Sequence, residues 1–122
     1  MVPYEAYKVL HLIGVIFLLL SLGAYLMLSM NKSERGRKLA ALTHGISVLI
    51  ILVAGFGLLA RLGLFGAGGW PDWVWVKLIV WLMLALIIVL IKRVPDLIHV
   101  LWFLIPALAG LAAYMAVYKI NF

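Results

Sequence analysis

Four long apolar runs constrain this chain more than any other feature it has. They cover residues 4–30, 38–64, 73–91 and 95–118. Crossing a hydrocarbon core of ~30 Å takes about 20 helical residues at ~1.5 Å each. A barrel strand would be ~10 residues of alternating polarity, and these runs do not alternate. The expected fold is therefore all-α, an integral membrane four-helix bundle running up-down-up-down. Composition agrees: 68% of the 122 residues are hydrophobic and 11% are charged, against roughly half and about a quarter in soluble domains. One transmembrane domain, residues 1–122, is expected, with no separate soluble catalytic domain.

The breaks between runs carry the chemistry of helix ends. Asn31-Lys32-Ser33-Glu34-Arg35-Gly36-Arg37-Lys38 is a polar stop. In Gly66-Ala67-Gly68-Gly69-Trp70-Pro71-Asp72, glycines close one helix and Pro-Asp opens the next. Lys92-Arg93-Val94-Pro95-Asp96 is a tight turn, with Pro95 placed for the first turn of the fourth helix. The first run is a span rather than a cleaved leader: it is too long, lacks a basic start and ends without a small-residue cleavage site.

Lysine and arginine give the orientation. Lys32, Arg35, Arg37, Lys38, Lys92 and Arg93 fall in two loops on one side of the bundle, and the positive-inside rule makes that side cytoplasmic. Both termini are then outside, in a membrane expected to be a bacterial inner membrane. Trp70, Trp73, Trp75, Tyr4, Tyr7 and Tyr118 would form an outer aromatic belt. The net charge of +6 is confined mostly to these short loops, a pattern of lipid contact rather than of nucleic-acid binding. The absence of cysteine removes disulfides, thiolate metal sites and a cysteine nucleophile.

Ionisable residues within spans are costly and tend to be functional. Here they are His11, His44, His99, Arg61 and Lys77. His44 and His99 are expected at similar depth on diagonal helices, where they could supply two axial ligands to a b-type haem iron. Gly45, Gly55 and Gly57 would help admit the macrocycle. The alternative reading is that each imidazole bonds water or a carbonyl, with Asp96 holding His99. His11 lies at nearly the level of Lys77, on a face it shares with Gly14 and Ser21 at helical spacing, and that face is expected to pack inward. A neutral imidazole there can ligate haem iron or carry a proton. Lys77, flanked at helical spacing by Trp73 and Trp81, is placed for cation–π contacts, for an anionic group such as a propionate, or for snorkelling to the headgroups. The methionines Met27, Met30, Met83 and Met115 do not cluster by spacing. Ala54, Gly57 and Ala60, and Ala109, Gly110, Ala113 and Ala116, read as packing stripes.

The segment Tyr7-Lys8-Val9-Leu10-His11-Leu12-Ile13-Gly14-Val15 resembles the first helix of small four-helix membrane proteins of the HemJ-type protoporphyrinogen oxidase, CopD and SirB kinds. Trp73-Val74-Trp75-Val76-Lys77-Leu78 resembles the opening of their third helix. Tyr118-Lys119-Ile120-Asn121-Phe122 is similar to the HemJ-type ending, and His44-Gly45 to the second-helix histidine of SirB-like proteins. The HemJ resemblance implies His11 as a haem ligand and Lys77 as part of the site. The histidine that closes the third helix in that family is replaced here by Ile91-Lys92-Arg93, and its Asn-Glu-x-Pro motif is missing. Two functions stand side by side: a haem b-binding protein using His11 or the His44/His99 pair, and a non-enzymatic membrane protein, either a homo-oligomer or an accessory subunit of a larger complex.

The topology has a direct test. Single cysteines placed at Ser33 and Gly68 are expected to react with an impermeant maleimide from opposite sides of the membrane. Labelling of both from one side would refute the up-down-up-down arrangement.

Overall fold

An unbroken apolar run continues as helix until some residue accepts a left-handed turn, and this sets the first two helix ends. The computed structural model describes residues 3–64 and 68–119. Helix α1 spans Tyr4–Met30, α2 Arg37–Arg61, α3 Asp72–Arg93 and α4 Ile98–Tyr118, the last entered through a 3-10 turn at Pro95–Leu97. At the end of α2, Gly63 (φ 72°) lets its own N–H reach Ala60 O at 3.1 Å while Leu64 N–H reaches Leu59 O at 3.0 Å. Leu59 and Leu64 then pack in one apolar cluster. This is a Schellman closure, and it stops α2 short of the expected residue 64. Helix α1 closes in the same way with Lys32 (φ 53°) in the glycine's place, Ser33 N–H bonding Leu28 O at 2.8 Å. Gly66 and Ala67, and Ile120, Asn121 and Phe122, lie outside the described residues.

All four helices are long and apolar enough to cross a membrane. The fold is the expected all-α four-helix bundle, built from two antiparallel hairpins. The α1–α2 contact is the most extensive and α3–α4 the next, with α1 touching α3 and α4, and α2 touching α3. The central core is continuous across the hairpins: Leu18, Leu22 and Leu26 of α1 meet Val80, Leu84 and Ile87 of α3, and Leu101 and Ile105 of α4.

Small residues explain why the first hairpin is the tighter one. A Cβ on Gly14 would come within 2.8 Å of Ile51 Cγ1 and 3.3 Å of Ile51 N, so α1 lies against the α2 backbone itself. A Cβ on Gly57 would run into the ring of Tyr7. In lipid such close approach replaces the hydrophobic effect as the force between helices, because van der Waals contact is what association gains. The stripe on α4 behaves differently. Gly110 and Ala113 are exposed on the outer surface, and nothing among the described residues lies within 4 Å of a Cβ built on Gly110.

These contacts separate the glycines by the effect of a methyl group. Gly57→Ala must displace Tyr7 and is expected to lower the thermal midpoint in detergent. Gly45 is open, with nothing near its Cβ position, so Gly45→Ala is expected to stabilise the helix by about 0.5–1 kcal/mol. Equal midpoints for the two variants would contradict the packing described.

Candidate functional site

His11 sits one turn before Gly14 on the face of α1 that packs against α2. Its Nδ1–H donates to the carbonyl oxygen of Ile51 at 3.0 Å. A Cβ on Gly55 would stand 3.4 Å from the ring's Cε1 and 3.6 Å from Nδ1, so the imidazole lies over that glycine. A carbonyl only accepts, which fixes the tautomer: Nδ1 carries the proton and Nε2 keeps its lone pair. Ser21, on the same face, is buried and returns its hydroxyl to Leu18 O at 2.8 Å. The inward orientation expected for His11, Gly14 and Ser21 is the one observed.

His44 is buried, 5% exposed, and its Nε2–H donates to Leu84 O of α3 at 3.1 Å. The bond is answered from the other helix: Trp81 Nε1–H of α3 donates to Val48 O of α2 at 3.0 Å. Donors and acceptors alternate one turn apart on two antiparallel helices, so the pair of bonds fixes the register of α2 against α3. The indole of Trp81 therefore has a hydrogen-bonding role that its spacing from Lys77 does not reveal.

His99 occupies a different setting. It is exposed at the start of α4 and lines a cavity of about 200 Å3 with Met27, Met30, Trp102 and Phe103. His44 does not line this cavity and faces α3 instead. Met27 and Met30 do share it, as neighbours three residues apart on α1, although they were not expected to cluster. Among the described residues, no three His, Cys, Asp or Glu side chains are grouped to hold a metal ion. The glycine spaces expected to admit a macrocycle are filled in two of three cases, Gly55 by His11 and Gly57 by Tyr7.

At the aromatic end, Lys77 lies within electrostatic range of both His11 and Lys119. The cation over Trp73 is Lys119, with Nζ 5.9 Å from the ring centroid. Lys119 reaches it from the end of α4 with left-handed backbone (φ 51°). The expected belt is partly internal: Trp73 is buried with Leu59 and Met115, while Trp70 makes tilted ring contacts with Phe56 at 5.9 Å and Trp75 at 5.2 Å. Tyr118 remains on the surface, in a tilted ring contact with Tyr114 at 4.7 Å. Arg61 is exposed at the end of α2.

Neither a protein-family model, nor a curated protein, nor a solved structure matches this chain.

The α2–α3 clasp can be measured. Interhelical hydrogen bonds in lipid average about 0.6 kcal/mol and reach ~1.7 kcal/mol. Trp81→Phe keeps a ring and removes the donor, and is expected to destabilise within that range. His44→Leu is expected to do the same, leaving the helix content by circular dichroism unchanged. A double-mutant cycle should return coupling between the two, since either bond holds the register for the other. Additive effects would mean that the bonds act separately.

Proposed function

We propose that this protein is non-enzymatic and works through its helical surface, as a homo-oligomer or as an accessory subunit of a larger membrane complex. One observation carries the reading: two of the three imidazoles, and the indole between α2 and α3, are used to hold helices together. Each donates to a backbone carbonyl of a neighbouring helix, a structural use of groups that could otherwise do chemistry. The four apolar helices make it a polytopic membrane protein, and the bilayer is its solvent.

A second reading is favoured by one detail of His11. Its bond to Ile51 leaves Nε2 as the free nitrogen, the arrangement found in metal-ligating histidines whose other nitrogen is held by a carbonyl. Lys77, within electrostatic range of His11, would meet an anionic substituent. On this reading His11 would bind haem b, which supplies one-electron redox chemistry, and the HemJ-type resemblance lends it support. The His44/His99 pair is the weaker haem candidate, because His44 Nε2 is committed to Leu84 O.

Protein expressed with ample haem and purified in detergent separates the two. The non-enzymatic reading expects no b-type bands after dithionite reduction, and light scattering then tells a homo-oligomer, with more than one chain per particle, from a single-chain accessory subunit. Bands that persist through purification but vanish in a folded His11→Gln variant would establish the haem reading instead.

A further inference from the structure

At the end of the bundle that carries the basic loops, α1 finishes, α4 begins, and the two helices touch. Each brings a pair of side chains one turn apart to the cavity of about 200 Å3 found there. Met27 and Met30 come from α1, His99 and Trp102 from α4, with Phe103 beside them. The lining therefore holds two thioethers, one imidazole and one indole, and it has no lysine, arginine or carboxylate. Met30 and His99 are exposed, so the cavity is open to an ion from outside the bundle.

The nitrogens of this lining are uncommitted. His11, His44 and Trp81 each spend a ring N–H on a carbonyl of a neighbouring helix. Among the described residues, neither His99 nor Trp102 makes a hydrogen bond, and Asp96 does not pair with His99. Adaptable methionines filling a gap would account for Met27 and Met30 alone. They would not account for an imidazole with both nitrogens free in the same wall.

The chemistry of the set is selective. A thioether is a soft, neutral ligand that selects Cu(I), and imidazole accepts copper as well. Zn2+ takes Cys, His, Asp and Glu, of which the lining offers one. Charge makes the same choice. With neutral ligands the ion keeps its full charge at the edge of the hydrocarbon, where desolvation disfavours a divalent ion more than a monovalent one. An indole in the wall adds attraction for a cation. Methionine is unbranched and flexible, so two of them on adjacent turns can bring their sulfurs to one ion.

From this lining we infer that the cavity is a binding site for Cu(I), coordinated by the thioethers of Met27 and Met30 and by a ring nitrogen of His99, with Trp102 beside the ion. The site goes beyond the function proposed above and does not rest on it, since it shares no residue with the interhelical bonds.

The experiment uses the whole chain, untagged in an uncharged detergent, titrated anaerobically with Cu(I) against a chromophoric chelator. A parallel titration uses Ag(I), an equally soft ion that needs no reductant. Native mass spectrometry reads stoichiometry, and one ion per chain is expected. Met27→Leu, Met30→Leu and His99→Gln should each weaken binding at least ~10-fold, with helix content retained. Met83→Leu alters an exposed methionine of α3 outside the cavity and should leave binding unchanged. Ag(I) should quench tryptophan fluorescence markedly less in Trp102→Phe than in wild type, and Zn2+ should not compete. The inference is overturned by an absence of binding, or by any of the three ligand variants binding like wild type. Equal loss in Met83→Leu, quenching unchanged in Trp102→Phe, or Zn2+ binding as tightly as Ag(I) would overturn it too.

Discussion

In a helix surrounded by lipid nearly every interior carbonyl is already bonded along the chain, so a polar side chain that turns to a neighbouring backbone uses an oxygen's second lone pair. This bundle depends on that one kind of bond. Ile51, Val48 and Leu84 each accept from a ring N–H on a neighbouring helix. Such a bond has two requirements: a donor rigid enough to be aimed, and a helix surface low enough for the ring to reach the backbone. Imidazole and indole meet the first. The second falls to small residues, which is why Gly55 lies beneath His11 and why Gly14 and Gly57 bring α1 down onto α2.

The consequence is a division of labour between interfaces. Within the α1–α2 hairpin, close backbone approach and one imidazole bond act together. Between α2 and α3 the contact is less extensive, and two reciprocal bonds set a register that packing of similar apolar side chains would leave loose. Leu, Ile and Val can slide past one another by a turn at little cost, whereas an N–H aimed at one carbonyl cannot. The ring donors thus give the bundle specificity at a depth where hydrophobicity distinguishes nothing.

The same physics decides what could be read from the sequence. The spans were legible because crossing a membrane demands length and unbroken apolarity: α1 matches residues 4–30, and α3 extends the expected 73–91 by only a few residues. Facing was legible only where small or polar residues marked it, as at His11, Gly14 and Ser21 on α1. A membrane helix is apolar on its core and lipid sides alike, so periodicity carries little information. Gly55 and Gly57 were conspicuous as space, but sequence cannot say that Tyr7 and His11 fill it. Trp73 read as part of an interfacial belt and Trp81 as a flank of Lys77, although Trp73 is buried and Trp81 bonds across helices.

His11 and His44 make the same type of bond with opposite nitrogens, and the difference decides what chemistry remains to each. His44 donates from Nε2, the tip of the ring, so its remaining lone pair is on Nδ1, flanked by its own Cβ in a buried position. His11 donates from Nδ1, so the tip nitrogen keeps its lone pair on a ring that is only partly buried. A ligand approaching His44 would have to break the α2–α3 clasp before it met a free electron pair. One approaching His11 would not disturb the α1–α2 bond, and by polarising the ring would strengthen it. Two histidines in equivalent chemical roles are therefore unequal in what they can still do, and the inequality comes from which end of the ring the neighbouring helix leaves within reach.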